Sequence, residues 1–147
     1  MNDRMHLVRR AISSFSNAVP LAEHIDIVRS VLNPAEYSLW SSMQGRDQRH
    51  SVQVYQRFIH LCPDAEVSAQ RGALLHDVGK IQANLGWLMR IIATLLGPLN
   101  ARMRLYLDHE MIGARMLADI SEPLTTQLVG GAFVPGVSDA LKQADNI

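Results

Sequence analysis

Apolar residues recur three and four positions apart along almost the whole chain, and proline or glycine interrupts that rhythm again and again. This is the period of helices with one buried face, and the punctuation marks where each helix stops. Met5, Val8, Ala11, Ile12 and Phe15 line one face of a first helix over Met5 to Ala18, which Pro20 closes. Leu21 to Leu32 follows, with Ile25, Val28, Val31 and Leu32 inward. Asn33-Pro34 then reads as an N-cap with proline at the first helical position, and Glu36 falls in the first turn of a helix over Ala35 to Met43. Asp47 is the expected cap of a helix reaching Leu61, and Cys62-Pro63-Asp64 breaks it. Ala65 to Val78 is the next helix, ended by Gly79. Beyond it come Leu85 to Leu96 and a long pattern over Asn100 to Ile120, with Met103, Leu107, Met111, Ala114, Leu117 and Ala118 inward. Leu124 to Val129 and a last helix capped by Ser138 complete the chain. No β alternation of useful length occurs, so the expected fold class is all-α, a compact single-domain bundle of about seven to nine helices.

Composition narrows the functions open to such a bundle. Lys and Arg number 14 and Asp and Glu number 14 in 147 residues, so the net charge is zero and no basic footprint points to a nucleic-acid polymer. Aromatic residues make up 5%, too few for base-stacking platforms. With 48% hydrophobic residues the chain can build a core, which argues against disorder. Cys62 is the single cysteine and has no internal disulfide partner. The most apolar window, LGWLMRIIATLL over Leu85 to Leu96, falls short of the ~20 residues that span a bilayer. It is expected as a core helix, with membrane-surface contact as the minor reading, and as a candidate homodimer face. With no signal-peptide pattern at the N-terminus, the expectation is a cytoplasmic protein without membrane contact.

Chemistry concentrates at Leu74-Leu75-His76-Asp77-Val78-Gly79-Lys80. An imidazole and a carboxylate stand side by side where an apolar helix meets a glycine. Neighbours on a helix diverge by about 100°, so the two can share a metal only at a helix edge or end, which Gly79 provides. Lys80 is four after His76 and three after Asp77, on their side if the helix persists. It cannot ligate a metal, but it can hold a phosphate oxygen beside one. The bland reading of the pair is a helix-end cap with a satisfied histidine.

At these residues the sequence resembles the HD superfamily of metal-dependent phosphohydrolases. That pattern has a His on one helix, a His-Asp pair on the next and a final Asp on a late helix. His50 in Arg49-His50-Ser51, then His76-Asp77, then Asp145 in Ala144-Asp145-Asn146 stand in that order. HDVGK is similar to the HDIG subgroup, as is Asp108-His109-Glu110-x-x-Gly113-Ala114. The resemblance covers residues 46–147, an HD-type metal-binding domain, with residues 1–45 as added helices packed on its core. It implies His50, His76, Asp77 and Asp145 as ligands to one divalent transition metal per chain. Imidazole with carboxylate suits Mn, Fe, Co, Ni or Zn better than Mg. It implies a catalytic role for Asp77, Lys80 and His109, with Lys80 and Arg46 contacting a substrate phosphate. Arg49 reads as solvated and Glu110 as the partner of a basic residue.

One departure bears on activity. Two-metal members of the superfamily carry two further histidines before the final Asp. His109 matches the first, but Leu128 to Pro135 reads LVGGAFVP and offers no ligand for the second. The expectation is therefore one metal, with His109 and Asp77 at most holding a weak second. The activity expected is hydrolysis of a small phosphate ester or nucleotide. The alternative is a catalytically impaired HD-type module that keeps the fold and one metal. An iron-dependent oxygenase is a third reading, which needs the second metal site that this sequence does not complete.

Overall fold

Asn33-Pro34 shows how closely local chemistry dictates this chain. The Asn33 side chain accepts from the Glu36 amide at 2.8 Å while the Glu36 carboxylate accepts from the Asn33 amide at 3.0 Å, a reciprocal capping box behind the N1 proline. The computed structural model describes residues 18–81, 95 and 109–146, and among them every regular element is helical. In chain order these are α1 (Ala22–Val31), α2 (Pro34–Ser41), α3 (Gly45–Leu61), α4 (Val67–Leu75), a 3-10 turn (Val78–Ile81), α5 (residues 109–117), α6 (Pro123–Val129) and α7 (Ser138–Asp145). The helix expected over Met5 to Ala18, the apolar helix over Leu85 to Leu96 (except position 95, which is helical) and the start of the Asn100 to Ile120 helix lie outside the described residues.

Three expected caps and bounds differ. Gln44, not Asp47, precedes the first turn of α3, and Asp47 sits inside that turn, where its charge suits the helix dipole. The Gln48 amide explains the early start. It donates to the carbonyls of Ser41 and Met43, both at 3.1 Å, and so ties the end of α2 to the first turn of α3. Ser138 is not a cap either: its hydroxyl accepts from the Val134 amide at 2.7 Å, and Val137 takes the capping position. The helix expected to reach Val78 stops at Leu75. Met111 and Ala118, expected inward, are exposed, whereas Leu117 on the same helix is buried.

Two apolar clusters organise the packing. Val28, Val31, Leu32, Trp40 and Met43 from α1, α2 and their flanks meet Val52, Tyr55, Leu74, Leu75, Val78, Leu117 and Val129 in the first. Val54, Phe58, Ala69, Ala73, Leu128 and Ala144 form the second. Because α3 and α4 contribute to both, they fix the frame on which α6 and α7 dock. Trp40 is buried and donates to Ser51 Oγ at 2.8 Å, which anchors α2 on α3 one residue after His50.

A close approach of backbones sets the remaining geometry. A Cβ on Gly79 would fall on the carbonyl oxygen of His109, and it would lie 2.9 Å from the amide nitrogen of Gly113. A Cβ on Gly113 would meet Val129 Cγ1 at 2.8 Å. The two glycines therefore let the 3-10 turn and α5 touch main chain to main chain. That contact brings α5 up to the end of α4.

Candidate metal centre

The local fold at the end of α4 fixes the orientation of the His76 ring. Its Nδ1 lies 2.8 Å from the carbonyl oxygen of Ala73, which can only accept, so Nδ1 carries a proton and the ring is oriented by the helix end. Nε2 then points the other way, toward carboxylates. It lies 3.4 Å from Asp77 Oδ2 and 3.3 Å from Asp145 Oδ1. His50 projects from the middle of α3, with Nε2 at 2.9 Å from Asp145 Oδ1 and 3.9 Å from Asp77 Oδ2. Asp145 reaches the cluster from the last residue of α7.

Among the described residues, His50, His76 and Asp77 form a group whose ligand atoms all lie within 4.8 Å of one another. Asp77 is buried, its side chain only 7% exposed, and it divides its two oxygens. Oδ2 faces both imidazoles and accepts from Lys80 Nζ at 2.8 Å, while Oδ1 lies 3.5 Å from Nε2 of the buried His109. Arg46 is not brought in: it is exposed, and its guanidinium lies 3.9 Å from Asp47. Arg49 is half-buried rather than solvated. The Glu110 side chain is packed against Gly131, at a positive φ of 81°, and Ala114 Cβ is 3.2 Å from where a Gly130 Cβ would stand. The glycine pair in the stretch without ligands is thus where the chain after α6 lies down on α5.

The electrostatics are strongly coupled. Burial alone would lower the pKa of His76, but the Asp145 and Asp77 carboxylates outweigh it and raise the value to about 10. Burial would raise Asp77, yet His109, His76 and Lys80 hold its carboxyl well below the usual carboxylate range. His50 and His76 do the same for Asp145.

Do these residues fit a metal ion? Nε2 of His76 is buried and makes no hydrogen bond among the described residues, although two carboxylate oxygens stand close by. A buried imidazole nitrogen set between two carboxylates without a well-formed hydrogen bond stands where a cation, a proton or a metal ion, is held. Two donors bound to a first-row ion at ~2.0–2.2 Å stand ~3–3.5 Å apart; the separations of 3.4 and 3.3 Å above fall in that range, with 2.9 Å just below it and the 3.9 Å between His50 Nε2 and Asp77 Oδ2 just above it. Mixed imidazole and carboxylate is the donor set such ions take. The group fits.

Pattern reading missed what holds the cluster in place. The Ala73 carbonyl that orients His76 leaves no trace in side-chain chemistry. The Glu36 carboxylate is fully buried and accepts from Ser121 Oγ at 2.8 Å with Arg71 Nε at 3.6 Å; only its place in a first turn was legible. No family model matches this chain, and neither does any curated protein or solved structure. No helix among the described residues is long and apolar enough to cross a membrane.

Proposed function

We propose that this chain is a metal-dependent phosphohydrolase of the HD type, acting on a small phosphate ester or nucleotide. One observation carries the reading: His50, His76 and Asp77 converge from two helices on one point, with Asp145 arriving from a third. These four residues would hold one divalent transition ion. When bound, such an ion polarises a phosphoryl oxygen and acidifies water at neutral pH. The protein's own groups do the rest. His109 faces Oδ1 of Asp77 and keeps that carboxylate ionised and oriented, leaving Oδ2 for the ligand cluster. Lys80, half-exposed beside Asp77, supplies a cation for an incoming phosphate. Asp145 and His50 are also partly open to solvent, so the cluster is reached from their side.

The test is to strip metal from the purified chain, measure which ions rebind and at what stoichiometry, and assay generic phosphate esters with Mn²⁺, Co²⁺, Fe²⁺ and Zn²⁺. One ion per chain and ion-dependent turnover are expected, both lost in Asp77→Ala. A second reading, a binding module that keeps the ion without turnover, is favoured by the packed Gly130-Gly131 stretch, which has no side chain to complete a second site. Stoichiometric ion and tight nucleotide binding with no hydrolysis under any ion would select it.

A further inference from the structure

The position of Lys80 says more than that a cation stands near the site. Its Nζ is 2.8 Å from Asp77 Oδ2, the same oxygen that faces His76 Nε2 at 3.4 Å and His50 Nε2 at 3.9 Å. The other oxygen, Oδ1, is engaged by His109. So the ammonium sits on the one carboxylate oxygen that a metal between the two imidazoles would need. The 3-10 turn over Val78–Ile81 puts it there, because Lys80 stands three residues after Asp77 and its amide donates to the Asp77 carbonyl at 3.0 Å. Its side chain is 42% exposed and has four rotatable carbons, so it can leave this oxygen for solvent without disturbing the core.

We propose that Lys80 is a tethered competitor of the metal, a built-in cation that neutralises Asp77 in the metal-free protein and is displaced when an ion loads. This rests on the metal-centre reading above and adds its regulation. An ammonium and a divalent ion on one carboxylate oxygen compete for its charge and repel each other in a partly desolvated cluster, so each weakens the hold on the other. Displacement frees the ammonium, on its flexible stem, for an anionic ligand. Metal loading and anion capture are then linked through one side chain.

The experiment is calorimetric titration of Mn²⁺ and of Co²⁺ into the full chain after chelator treatment, at low and at high salt. Wild type is compared with Lys80→Met, Lys80→Gln and Lys80→Arg, each checked for a native-like helical circular dichroism spectrum. Both neutral variants are expected to bind either ion about tenfold more tightly than wild type, and Lys80→Arg about as wild type does. The gain is expected to persist at high salt, because a direct contact is screened far less than a distant charge. Equal or weaker binding by the neutral variants overturns the proposal, as does a gain that high salt abolishes. Wild type that binds no ion at all would instead overturn the metal centre itself, so the two failures are told apart.

Discussion

Asp77 carries the charge balance of the cluster, with His76 and Lys80 on one oxygen and His109 on the other. The metal-free protein therefore depends on ionised partners, and the dependence on pH has a definite sign. His76 has a folded pKa of about 10, above its ordinary 6.5, so its contribution is complete below about pH 6.5 and is lost as pH rises toward 10. Asp77 and Asp145 are lowered, so theirs is complete above about pH 4 and is lost as pH falls below it. Urea midpoints of chelated protein should be highest between about pH 4 and 6.5 and decline on both sides. A midpoint that climbs from pH 6.5 to 9 would show that His76 is not held protonated by the two carboxylates.

Helix identity was legible in the sequence because the chain carries its own punctuation. Asn33-Pro34, the Cys62-Pro63-Asp64 break and the proline that opens α6 all act through local sterics and capping, which need no tertiary partner. Asp47 and Ser138 misled for the opposite reason. Each has cap chemistry, but Gln48 reaching back to the end of α2 and the Val134 amide donating to the Ser138 hydroxyl set those boundaries, through contacts four and five residues apart that a single-residue cap preference does not show. The site shows the same division. His76-Asp77 declares itself as a dipeptide, whereas the Ala73 carbonyl and the contact of Gly79 with α5 exist only once the elements meet. That contact gives an ordered prediction for alanine. At Gly79 the new Cβ strikes backbone, which cannot step aside, so Gly79→Ala should cost about 2–3 kcal/mol and move His109 off Asp77. At Gly113 it meets first the side chain of Val129, which can rotate, so Gly113→Ala should cost about 1 kcal/mol. Urea unfolding of the two variants checks the order, and equal costs would mean that the main-chain contact is not tight.

At the scale of the whole molecule, the motif-bearing segment and the helices before it share one interior. With zero net charge there is no long-range field to draw in anions, so any capture of a phosphate falls to the local cluster and its lysine. That cluster is in turn supported from the far side. Leu74 and Leu75, directly before His76, and Val78, directly after Asp77, pack in the cluster that Val28, Val31, Leu32, Trp40 and Met43 help to build. The buried Glu36 carboxylate, bonded to Ser121 and close to Arg71, clamps α2 to α4 and to the residues before α6. Five buried apolar side chains at roughly 2 kcal/mol each come to about 10 kcal/mol, as large as the whole stability of an ordinary domain. A chain of residues 46–147 alone, although it holds every candidate ligand, should therefore lack a cooperative unfolding transition by circular dichroism and bind ions only weakly. The complete chain should unfold in a single step. A cooperatively folded 46–147 fragment with wild-type ion affinity would show instead that the early helices only decorate a self-sufficient unit, and that the shared core around Leu74 and Leu75 can close without them.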